Sequence, residues 1–224
     1  MRAALLAGAF LLAGVTAAQP TLAVHGAALG PEGSPHALVV ALHPWGSRGR
    51  AMARLVEAAA IPCAHRVLAP DGPLPHGRGR SWLRDRVADE APTLPVDATG
   101  AADAVAALLR DRRERIVVTG LSQGGVVAYA LAARHPGLAD VVVAAAGLLP
   151  EDVAVRPGAG RIVMVHGERD AFVPFARARA GLRRLRAAGR QTERRTLPAA
   201  GHRLRGALRT RYLSALRDAV ACPN

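Results

Sequence analysis

The sequence predicts an α/β fold, with a mainly parallel central sheet and helices on both of its faces. Three observations point there. Short, β-branched-rich apolar runs alternate with longer helical segments along all 224 residues. Some of these runs are apolar at every position, as strands buried on both faces require. The chemically able residues cluster just after the runs, where open parallel sheets place their ligands. Half the residues are hydrophobic but only 3% are aromatic, so Ala, Val and Leu must build the core. The length suits a single domain.

Taken in order, residues 21–25 form a candidate first strand. Ala37–Leu42 is a continuous apolar run, followed by an amphipathic helix over 50–60. Residues 66–69 form a strand stopped by Pro70-Asp71-Gly72. Residues 97–113 read as a helix, capped by Asp97 or Thr99. A strand over 115–119 precedes a helix over 126–134, which His135-Pro136-Gly137 closes. Strands follow at 141–146 and 161–166, a helix at 176–188, the last strand at 192–197 and the last helix at 205–221. No internal repeat or long linker interrupts the alternation.

The N-terminus reads as an export signal rather than part of the fold. Arg2 precedes an apolar run over 3–15, and Thr16-Ala17-Ala18 supplies the small residues of a cleavage site. Residues 1–18 are therefore expected to be a signal peptide and 19–224 the single domain, exported to the periplasm or beyond. The run is short for a membrane span, and no stable membrane insertion is expected. In an oxidising compartment Cys63 and Cys222 can form one bridge, because the helices they follow can share a face of the sheet. The alternative is one buried thiol and one thiol in the tail.

The formal charge of +13 comes entirely from Arg, since the chain has no Lys. Attraction to acidic substrates is one reading; the codon bias of a GC-rich genome, which the Ala and Gly content supports, is the other. Aromatic platforms are too scarce for base stacking, and no nucleic-acid module is recognisable, so nucleic acid is not an expected partner.

The most informative segment is Gly120-Leu121-Ser122-Gln123-Gly124-Gly125, a G-x-S-x-G run between a strand and a helix. A serine there sits on a sharp turn at a helix N-terminus, which stabilises negative charge and suits a nucleophile in acyl transfer. Serine alone is a poor nucleophile at neutral pH and needs an oriented base. Asp170, just after the strand at 161–166, and His202, just after the last strand, supply acid and base in the chain order Ser, Asp, His. Asp152 is the fallback acid. Of the other histidines, His43 is expected to brace the turn that follows it, and His166 to be packed and hydrogen-bonded. The oxyanion hole needs two N–H donors. These are expected from the backbones of Gln123 and Trp45, because Pro44 has no N–H. Trp45, Trp82, Leu148, Leu149 and Phe172 are candidates for an apolar acyl wall, and Arg78, Arg80 and Arg84 for a basic rim.

Leu42-His43-Pro44-Trp45-Gly46, the serine turn, His166-Gly167-Glu168-Arg169-Asp170 with Val173-Pro174, and Gly201-His202 together resemble the α/β-hydrolase superfamily. Within it, the chain resembles phospholipase/carboxylesterase-type serine esterases. Gly79-Arg80-Ser81-Trp82 is similar to a family segment near the acyl pocket. The resemblance covers nearly all of 19–224 and implies ester or thioester hydrolysis with neither metal nor organic cofactor. His43-Pro44 departs from the His-Gly usual in the family. Polyhydroxyalkanoate depolymerase-like and feruloyl-esterase-like hydrolases, a serine peptidase, a perhydrolase and a non-catalytic binding protein on the same fold are the alternatives. Oligomeric state is not legible. Only 147–160 separates the strands between which lids usually sit, so an open site is expected.

Overall fold

The computed structural model describes residues 22–29, 35–84, 98–220 and 222. The expected signal segment 1–18 and the candidate cap Asp97 lie outside them. The strands are β1 (Val24–Leu29), β2 (Ala37–Leu42), β3 (His65–Pro70), β4 (Leu74–His76), β5 (Gly79–Ser81), β6 (Arg115–Leu121), β7 (Val141–Ala145), β8 (Arg161–Gly167) and β9 (Gln191–Leu197). The helices are α1 (Gly49–Glu57), α2 (Ala98–Leu109), α3 (Gln123–Arg134), α4 (Phe175–Ala187) and α5 (Gly206–Val220). Thr99 lies inside the first turn of α2 and is not its cap.

Seven strands form one sheet in the order β1-β3-β2-β6-β7-β8-β9, and every pairing except the antiparallel β1–β3 is parallel. The all-apolar runs of β2 and β7 occupy interior positions and are buried throughout. Alternate residues of the strands feed two cores. On one face Leu38, Val40, Ile116, Val118, Val142 and Met164 pack against α2, α3 and α4. On the other, Val39, Ala41, Val117, Val143 and Val165 pack against α1 and α5.

Polar pins fix the second layer. Thr119 Oγ1 donates to the Val143 carbonyl at 3.0 Å and accepts from the Tyr212 hydroxyl of α5 at 2.6 Å. A disulfide joins Cys63, in the loop after α1, to Cys222 beyond α5, with Cα atoms 5.5 Å apart. Both ends belong to the layer that carries α1 and α5.

The strand order reverses between β2 and β6. One progression runs outward from β2 through β3 to β1, and the other from β6 through β9. Such switch points are where open α/β sheets leave a crevice beyond the carboxyl ends of their strands. Leu42 pairs with Gly120 in the parallel register, so the loop after β2 and the turn after β6 emerge side by side.

Candidate active site

Ser122 occupies the turn between β6 and α3 with φ 53° and ψ −115°, a conformation that costs an L residue roughly 1–3 kcal/mol. Packing enforces it. A Cβ on Gly120 would run into the Gly124 carbonyl, and one on Gly124 into the carbonyls of Leu42 and His43. Only glycine at both positions lets α3 start directly against the ends of β6 and β2. The Ser122 N–H donates to the Ala145 carbonyl at 2.8 Å, and its carbonyl accepts from Val126 at 3.0 Å, which clamps the turn from both sides.

The hydroxyl so presented meets an imidazole. Ser122 Oγ lies 2.9 Å from His202 Nε2, and His202 Nδ1 lies 2.8 Å from Asp170 Oδ2. Nδ1–H facing a carboxylate fixes the tautomer that leaves Nε2 able to accept the serine proton. Asp170 Oδ1 accepts the backbone N–H groups of Phe172 at 2.9 Å and Val173 at 2.8 Å. Burial alone would push the Asp170 carboxyl up. The hydrogen bonds from His202 and Val173 outweigh it and hold the carboxyl below the usual carboxylate range. Asp170 therefore stays ionised beside His202.

A second histidine stands behind the acid. His166, fully buried at the end of β8, donates from Nε2 to the Val173 carbonyl at 2.9 Å, and the same nitrogen lies 3.4 Å from Asp170 Oδ2. Its Nδ1 finds no partner among the described residues. Burial lowers its pKa, so the ring stays neutral and steadies the 170–173 turn. His43 is buried and neutral for the same reason. Its Nδ1–H donates to the Pro44 carbonyl and its Nε2 accepts from the Gly72 N–H, each at 2.8 Å. That pair of bonds braces the turn after β2.

Ser122 and His202 open into a cleft of about 550 Å³. Pro44, Trp45, Leu121, Val126, Phe172, Val173 and Leu204 give it apolar walls, and Arg203 stands among them. Trp45 and Phe172 keep 51% and 69% of their surface in solvent, so the aromatic rim faces outward. The Phe172 ring lies 5.2 Å from that of His202.

Residues 100–209 match the phospholipase/carboxylesterase family model. Among solved structures, esterase PE8 is 24% identical, with a TM-score of 0.72 over 88% of this chain and 99% of its own. The carboxylesterase of Bacillus cereus is 16% identical, with a TM-score of 0.73 over 88% of this chain and 95% of its own. Zea mays acyl-protein thioesterase 2 is 20% identical, with a TM-score of 0.65 over 88% of this chain and 99% of its own. No curated protein sequence matches the chain. The chain has the α/β-hydrolase fold. It resembles the phospholipase/carboxylesterase type.

The fold brings together Ser122, Asp170 and His202, three residues far apart in sequence. Asp152 is exposed and takes no part in that relay. Gln123 and Trp45 both line the cleft, whereas three expected wall residues do not. Trp82 is buried, its indole N–H donating to the His43 carbonyl at 3.0 Å, which draws the ring beneath the loop after β2. Leu148 and its neighbour Leu149 are buried in the core that holds α4. Arg80 is also diverted, donating from Nε to the Gly72 carbonyl at 2.8 Å and from a terminal nitrogen to the Pro73 carbonyl at 2.5 Å. None of Arg78, Arg80 and Arg84 lines the cleft.

Sequence reasoning passed over Leu121, Val126, Val173, Arg203 and Leu204. Each lies within four residues of Ser122, Asp170 or His202, and that adjacency was the available signal. It also missed the Gln123 side chain, whose Oε1 accepts the Trp82 N–H at 2.8 Å and the Ser81 hydroxyl at 3.1 Å. These bonds tie the start of α3 to the segment after β5.

Proposed function

We propose that this protein is a serine esterase that cleaves carboxylic esters through an acyl-serine intermediate. The observation that carries the reading is the continuous relay Ser122 Oγ–His202 Nε2, His202 Nδ1–Asp170 Oδ2 at 2.9 and 2.8 Å, opening into an apolar cleft. In acylation, Nε2 takes the serine proton as Oγ bonds to the ester carbonyl carbon. The resulting oxyanion is held by the Gln123 N–H at the head of α3 and by the Trp45 N–H. In the loop after β2, Pro44 has no N–H and Gly46 gives its own to the Arg80 carbonyl at 3.0 Å; Trp45 faces the cleft. Imidazolium then protonates the departing alkoxide, the acyl–oxygen bond breaks, and water activated by the same nitrogen releases the acid. Thioesters fit the same steps, and acyl-protein thioesterase 2 shares the fold.

The test uses p-nitrophenyl esters of several chain lengths, a peptide amide and a fluorophosphonate probe. Short and medium esters are expected to turn over fastest, the amide to resist, and the probe to label Ser122. Ser122→Ala and His202→Ala should each lower kcat by about 10⁴–10⁶-fold. Protein that ignores both probe and esters would favour a binding role on the same fold. We further propose export, with the mature chain starting at Gln19. The sequence of residues 1–18 supports it, and the disulfide suits an oxidising compartment. Mass measurement of the exported protein tests the cleavage point.

A further inference from the structure

We infer that Arg203 selects esters whose alcohol portion carries an anionic group, paired with an apolar acyl group. This rests on the esterase reading. Among the described residues that line the cleft, Arg203 is the one ionisable residue besides the relay itself. It is exposed and ion-paired with no carboxylate among the described residues. The Asp170 carboxylate is turned away behind His202, with its side chain wholly buried and already satisfied by three donors. Among the described residues, a substrate anion at the mouth therefore meets the Arg203 guanidinium and no opposing carboxylate from the lining.

Position assigns that anion to one side of the ester. The alkoxide must leave toward His202 Nε2, which returns the proton. Arg203 follows His202 directly in the chain and lines the same cleft. The walls from Leu121, Val126 and Val173 carry no charge and suit an acyl chain. A carboxylate, sulfonate or phosphate a few bonds beyond the ester oxygen would then lie within reach of the guanidinium, whose planar fork fits such groups. Arg78, Arg80 and Arg84, the candidates for a basic rim, stand outside the cleft.

The test compares kcat/KM for two butyryl esters of matched shape, one of 4-hydroxybenzoate and one of 4-hydroxybenzamide. A third substrate, a hemisuccinate of 4-hydroxybenzamide, moves the carboxylate to the acyl side. The wild type is expected to prefer the benzoate ester about 2- to 5-fold at low salt, the range of an exposed ion pair, and less in 0.5 M NaCl, where salt screens the pair. Arg203→Ala should bring the ratio to about one, Arg203→Glu should invert it, and Arg203→Lys should keep part of it. Arg209→Ala, exposed on α5 outside the cleft, should keep the wild-type ratio and controls for net charge. An unchanged ratio in Arg203→Glu, or a preference for the hemisuccinate, overturns the assignment. Turnover of the benzamide ester without any charge preference removes this inference alone. A wild type inert to all three esters removes the esterase reading with it.

Discussion

Asp170→Asn is the sharpest single perturbation of the relay, because the geometry dictates how the amide must sit. The two backbone N–H groups of Phe172 and Val173, at 2.9 and 2.8 Å, require an oxygen at the Oδ1 position. The opposite rotamer would set the amide's hydrogens against those two donors, leaving buried groups unpaired. The NH₂ therefore takes the Oδ2 position, 2.8 Å from His202 Nδ1. Facing a donor, Nδ1 has to accept, and the ring proton moves to Nε2. That nitrogen lies 2.9 Å from Ser122 Oγ and can no longer take the serine proton. The imidazolium formed in the reaction also loses its counter-charge. A wrong tautomer of this kind lowers kcat about 10⁴-fold in serine hydrolases, or about 5 kcal/mol at 1.36 kcal/mol per decade. The steady-state kcat on p-nitrophenyl butyrate measures it, with circular dichroism to establish that the variant is folded. A folded Asp170→Asn enzyme that keeps a tenth of wild-type kcat would refute the assignment of Asp170 as the orienting acid.

Three further outcomes follow from the same structure. The disulfide spans 159 residues of sequence, and the chain-entropy estimate for so long a loop is about 5 kcal/mol. Reductant should lower the wild-type Tm by about 10 °C and leave that of Cys222→Ala unchanged; two free thiols in unreduced protein would contradict the bridge. His43 and His166 both have pKa values lowered chiefly by burial, so below about pH 6.5 the unfolded chain binds protons that the folded chain refuses. Stability should therefore fall as pH drops from 8 to 5, by up to about 1.4 kcal/mol per unit for each histidine, and His166→Asn should flatten the slope; a urea midpoint constant over that range would contradict it. Residues 147–160 hold neither helix nor strand, and Leu148, Leu149 and Val153 anchor the segment in the core, so nothing there can act as a helical lid. Ester hydrolysis should rise smoothly through the critical micelle concentration, and a sharp jump would count against an open site.

The parallel strands and the relay were legible for the same reason: each is enforced by local chemistry. β2 and β7 must be apolar throughout because both faces are covered. Gly120 and Gly124 are required by backbone contacts that exclude any side chain. The first strand was expected at 21–25 but runs over Val24–Leu29, paired antiparallel with β3, so no apolar run on both faces marked its limits. The β4–β5 hairpin went unseen because its three-residue arms, Leu74-Pro75-His76 and Gly79-Arg80-Ser81, are too short to show a period and contain the residues that usually interrupt strands. The acyl wall failed at Trp82 and Leu148 because hydrophobicity does not report direction. One hydrogen bond to the His43 carbonyl decides that the Trp82 indole points inward.

The covalent link between Cys63 and Cys222 closes a ring that contains Ser122, Asp170 and His202. For the exported chain proposed above, so many arginines offer trypsin-like proteases frequent targets. A single cut anywhere inside that ring yields two pieces that remain tethered, so neither can diffuse away with part of the relay. One nick then opens a loop without scattering the machinery.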